Sequence, residues 1–223
     1  MSIQVDIDGM IIHARVRHAR SLAIERGRRS KSITGIVVHQ TDADTAASSL
    51  NSYRNAGANG AHFLIDTDGT IFQTAALHQR TNHVGPLKAR CLLAGTCGIP
   101  NYANASPTAM NRIEMRKPSG DRYPSNVEAV GIEMVGRARL SAGFKPPPQP
   151  QHRKPRTPEE LRGEFGIYDT PTSAQNQSLS WLVKVLEHSM SIAPSEVFRH
   201  PEASRKNKTE AQGANWNLPA SAS

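Results

Sequence analysis

The run ITGIVVH at residues 33–39 constrains this chain more than any other stretch. It is rich in β-branched side chains, too short for a stable helix, and apolar on both faces. That combination predicts a central strand buried on both sides and ending at His39. The carboxyl end of such a strand is where loops gather and ligands bind in open α/β sheets. A second strand is predicted at 128–135 (EAVGIEMV), where period two sets Glu133 on the face opposite Ile132 and Met134. Residues 61–74 (AHFLIDTDGTIFQT) read as a hairpin around an Asp-Thr-Asp-Gly turn. Alternation through Ile3, Val5 and Ile7, then Met10 to Val16, predicts a short strand or hairpin at the start. Thr45 to Arg54 reads as a short helix. A longer one at 173–190 is capped by Thr172 or Ser173, with Leu179, Leu182, Val183, Leu186 and Met190 on one face.

Strand, helix, hairpin, strand and helix in this order predict an α/β class: a single domain with a mixed central β-sheet flanked by helices and carrying long loop insertions. The insertions are expected as irregular chain at 84–126, a proline-rich extended loop at 144–158, and a polar, irregular segment at 197–216. Residues 1–30 are expected to form a terminal hairpin and basic arm, 31–216 the main domain, and 217–223 a disordered tail.

Charge is concentrated. The 27 Lys and Arg against 19 Asp and Glu leave +8, and residues 13–31 hold seven of the bases with one acid. An arm of this kind suits nucleic acid, anionic lipid or an acidic wall polymer, or simply a solvated helix face. Its basic residues have no interleaved aromatics, which argues against a stacking platform for nucleic acid. No apolar run approaches the ~18 residues of a membrane span. Asp6 and Asp8 lie where an export signal needs bases and an apolar stretch, so conventional export is not expected. Cys91 and Cys97 in CLLAGTC are spaced either for a short disulfide loop in an oxidising compartment or for a free cytosolic pair.

Nine histidines are present, and the case for chemistry rests on their combination. His39 closes the central strand, and His200 lies in a segment expected to be too polar for the core. Two imidazoles and a downstream carboxylate would make a catalytic zinc set with one position open. There is no HExxH and no close pair of ligands, so spacing by itself leaves the set undefined.

In order, the chain carries IVVHQT, AHFLIDTDGTIFQ, NHVG, VGIEMVG and a histidine followed after seven residues by KTEAQG, spanning 33–216. This series resembles the zinc-dependent N-acetylmuramoyl-L-alanine amidases of the type 2 group, related to peptidoglycan recognition proteins and phage T-odd lysozymes. The resemblance implies Zn2+ as cofactor, held by His39, His200 and Glu210, with Glu133 as catalytic glutamate and Lys208 as the lysine that steadies the oxyanion. His83 matches a substrate-groove segment. Two departures stand out. Ala61 replaces a tyrosine that some members use, which puts more weight on Glu133. Glu210 stands where Asp or Cys is usual, followed by Ala211 in place of proline, so the 206–213 loop is expected to sit farther back. Glu202 is a competing carboxylate disfavoured by the family spacing.

The implied activity is peptidoglycan hydrolysis between N-acetylmuramic acid and L-alanine, on wall or soluble muropeptide. The implied setting is the bacterial periplasm or cell wall after non-classical delivery, as an antibacterial, type VI-like effector with an immunity protein as partner, or as a lytic enzyme. The alternatives are a cytoplasmic wall-recycling amidase, a non-catalytic peptidoglycan-binding module of the same fold, and a nucleic-acid-binding protein. Neither nucleic acid nor a membrane span is expected among its partners.

Overall fold

A computed structural model describes residues 3–97, 102, 105–149 and 154–218. The chain begins with the antiparallel hairpin β1 (Gln4–Val5) and β2 (Ile11–Ile12), then passes through β3 (Val16–His18) and β4 (Glu25–Arg28) to β5 (Gly35–Gln40). Helix α1 (Ala46–Ser52) leads to β6 (Phe63–Ile65), β7 (Ile71–Gln73) and β8 (Gln79–Thr81). Short helices α2 (Arg90–Leu93) and α3 (Pro107–Glu114) precede β9 (Ala129–Met134) and β10 (Ala138–Arg139). Then come α4 (Pro158–Phe165), β11 (Ile167–Tyr168), the long α5 (Ser173–Met190), β12 (Val197–Arg199) and the one-turn α6 (His200–Ala203).

The central sheet has six strands in the order β12-β5-β9-β6-β7-β3. β12, β5, β9 and β6 run parallel, whereas β7 is antiparallel to β6. The expected mixed sheet is therefore present, with β5 (Gly35–Gln40) fully buried inside it, one strand in from the β12 edge. Alternation sorts the side chains of β5 and β9 to two faces. Ile36, Val38, Ile132 and Met134 join Leu179, Leu182, Val183 and Leu186 of α5 in the main core. Each such side chain contributes roughly 1.5–3 kcal/mol on full burial. Helix α5 starts on a capping box between Thr172 and Gln175, as its sequence requires. The opposite face carries His39, Gly131 and Glu133, with Val37 in a second cluster beside Val84, Leu87, Tyr123 and Ala203.

Three expectations need correction. Residues 84–126 are not wholly irregular: they hold α2 and α3, and a disulfide joins Cys91 to Cys97. The proline-rich stretch falls partly outside the described residues, and its end feeds α4, started by a capping box of Thr157 and Glu160 that the neighbouring prolines obscure. Residues 197–216 are not outside the core: β12 pairs along β5, and His200, Ala203, Glu210, Ala211 and Ala214 are buried. A three-residue strand flanked by charges has too short a period to be read from sequence.

The basic arm is no α-helix. It runs through β3, a single 3-10 turn at Leu22–Ile24, and β4, and several of its arginines are occupied inside the protein. Arg29 donates to the carbonyls of Leu77 (2.8 Å) and Ala129 (2.7 Å), and Arg20 pairs with Glu25 at 2.8 Å. Of the tail expected at 217–223, residues from 219 on lie outside the described ones.

Candidate metal and catalytic site

Strand pairing assembles the site. His39 and Glu133 are direct register partners at the carboxyl ends of β5 and β9. On the other side of β5, Arg199 pairs with Val38, so His200 emerges one step later beside His39. Residues 161 positions apart thereby meet: His39 Nδ1 and His200 Nδ1 face each other at 2.8 Å. Glu210 Oε1 lies 2.9 Å from His200 Nδ1 and 3.5 Å from His39 Nδ1. All three residues are buried, and their ligating atoms lie within 4.8 Å of one another.

Glu210 arrives there through its neighbours. Ala211 takes φ +55°, a conformation closed to proline, and its N–H donates to Gln40 Oε1 at 2.9 Å. Arg199 donates to the Ala211 carbonyl at 3.0 Å. The departure from proline noted in the sequence is thus matched by a backbone turn and a hydrogen bond that proline could not supply. Glu202, by contrast, turns back to accept from the Arg199 N–H at 2.6 Å, closing the first turn of α6.

The three converging atoms fit a cation. Two Nδ1 atoms 2.8 Å apart cannot both carry protons without repulsion, and if only one does, it cannot satisfy its neighbour and Glu210 fully at once. Burial, with the charge of His200, lowers the His39 pKa to about 4, favouring neutral imidazole. For Glu210 burial acts upward, but hydrogen bonds from His200 and His39 outweigh it and hold the carboxyl at about 2. Imidazole nitrogen and carboxylate oxygen are the donor types that Zn2+ takes.

Glu133 differs. Burial and then the negative charge of Glu210 push its carboxyl up to about 8, with Lys206 acting in the opposite sense. A carboxyl balanced near neutrality can both accept and return a proton. Lys206, exposed on the loop before Glu210, is the lysine whose charge reaches Glu133 and His39. The charge of Lys208 is felt instead at Lys88. Both lysines line an open cleft of about 1100 Å3, which also takes Lys88, Lys154, Arg156 and Arg205 against only Glu160 and Glu164.

His83 does not stand apart from the metal set. Its Nδ1 lies 3.0 Å from His39 Nε2. His62 is fully buried, with its Nδ1 accepting the Gly131 N–H at 3.0 Å, a structural role beside Ala61. Sequence reading missed Tyr53, whose buried hydroxyl is pushed well above its ordinary range by burial and by Glu133. It also missed Lys206 and Gln40. Tyr53 follows α1 with no local pattern to mark it, while Gln40 stood unremarked within IVVHQT.

Comparison with known proteins bears on this geometry. A family model described as N-acetylmuramoyl-L-alanine amidase matches residues 29–213. The solved structure of an AmpD selenomethionine derivative is 17% identical with a TM-score of 0.52, covering 96% of each chain. A mutant endolysin from Bacillus subtilis is 17% identical with a TM-score of 0.44, covering 83% of this chain and 82% of its own. AmpDh3 from Pseudomonas aeruginosa, solved with an anhydromuramic pentapeptide, is 20% identical with a TM-score of 0.45, covering 80% of this chain and 55% of its own. No curated protein matches.

Proposed function

The chain belongs to the N-acetylmuramoyl-L-alanine amidase family, and on that premise we propose that it hydrolyses the muramoyl–L-alanine amide of peptidoglycan with a zinc ion held by His39, His200 and Glu210. The observation that carries the proposal is the convergence of two Nδ1 atoms and one carboxylate oxygen at the carboxyl ends of parallel strands. When bound, zinc supplies a Lewis acid and lowers the pKa of water toward ~7.

The chain's own groups do the rest. Glu133, one strand from His39, takes the proton of the attacking water and returns it to the departing L-alanine nitrogen. Its raised pKa, about 8, suits a group that must work in both directions. Positive charge for the oxyanion comes from Lys208, the lysine of the motif, or from Lys206, whose charge reaches Glu133. The cationic cleft beside them suits the carboxylates of a stem peptide. Work in the periplasm or wall, as a delivered effector or lytic enzyme, is favoured by the Cys91–Cys97 disulfide, since such bonds persist in oxidising compartments. Cytoplasmic recycling is the second reading, and an immunity protein belongs only to the effector reading.

The test is mass spectrometry of a muropeptide digest. Cleavage at the lactyl–L-alanine amide should vanish on chelation and return with zinc. Full cleavage by verified metal-free protein would refute the metal, and no cleavage with zinc bound would leave a binding module.

A further inference from the structure

We propose that His83 is a positioning residue that fixes the tautomer and orientation of the metal ligand His39. The proposal rests on the zinc reading above. If His39 ligates through Nδ1, its proton must sit on Nε2, and that nitrogen needs an acceptor. His83 Nδ1, 3.0 Å away, is the acceptor present. Accepting there obliges neutral His83 to carry its own proton on Nε2, which is buried without a partner among the described residues. A buried donor without a partner is unfavourable in itself, so the ring's contact with His39 is what the orientation provides.

The surroundings hold the ring in place. Asn126 Oδ1 accepts from the N–H groups of His83 (3.0 Å) and Val84 (2.8 Å), and its own amide donates to the Val84 carbonyl. Gly131 leaves the slot for the imidazole: a Cβ there would lie 2.8 Å from His83 Cγ and Nδ1. The glycine two residues before Glu133 thus has a job of its own. His39 and His62 close on the ring edge-on, at centroid distances of 5.1 and 5.8 Å. His83 therefore supports His39 from behind, a role distinct from the substrate contact expected of its segment.

The test measures zinc affinity by competition with a chromophoric chelator, alongside melting of the metal-free proteins. His83→Leu keeps bulk but removes the acceptor and should weaken zinc 10–100-fold. His83→Asn places an oxygen near the Nδ1 position and should recover most of that loss. Gly131→Ala, which leaves His83 intact but fills its slot, should weaken zinc as well. Equal affinity in His83→Leu and wild type overturns the proposal, as does His83→Asn binding no better than His83→Leu at matched melting temperature. If wild type itself binds no zinc, the zinc reading and this inference fall together.

Discussion

Replacing Glu133 with glutamine should change the pH dependence of stability as well as turnover. The folded carboxyl sits at about 8 against an ordinary value of 4.5. That gap corresponds to at most about 5 kcal/mol, and partial solvent access reduces it to about 2–3 kcal/mol. Between these values the folded chain holds a proton that the unfolded chain has released. The stabilisation is complete below pH 4.5 and is lost as pH rises toward 8. In urea unfolding of chelator-treated protein, Glu133 should therefore contribute stability that falls from pH 5 to pH 8, read as the difference between wild type and the glutamine variant because buried His39, held at about 4, contributes in the opposite sense. Glu133→Gln, nearly the same shape but without a titrating group, should lack that part of the slope and be the more stable chain at pH 8. Zinc should flatten the wild-type slope, because a nearby cation favours the carboxylate. In the same variant, muropeptide turnover should fall at least ~100-fold with zinc still bound. Identical slopes for the two metal-free proteins would refute the assigned environment of Glu133, and retained turnover would reduce it to a strand residue.

Glu210→Ala should abolish tight zinc binding, measured by chelator competition, whereas Glu202→Ala should bind like wild type because its carboxylate only closes the turn at Arg199. Glu210→Asp should also bind poorly, its shorter arm falling back from His200. Ala211→Pro should weaken zinc severely by removing both φ +55° and the bond to Gln40, while Ala211→Gly should be neutral or gain up to about 1 kcal/mol in thermal unfolding.

Local chemistry wrote the parts of this protein. The β-branched run before His39, the alternation around Glu133 and the capped apolar stripe of α5 each record their element within a few residues, because strand and helix periods are short-range. Motif order pointed to His39, His200 and Glu210, but no spacing could have shown that they meet, since the two histidines lie 161 positions apart. Their meeting depends on β12 adding parallel to β5, a pairing of two strands distant in sequence that leaves no local period. Tertiary structure also decided which lysine's charge reaches Glu133, turned Glu210 inward through the left-handed Ala211, and set His83 behind His39 in the slot left by Gly131. Each of these depends on where separate loops converge over one end of the sheet, and that is determined by the packing of the whole chain.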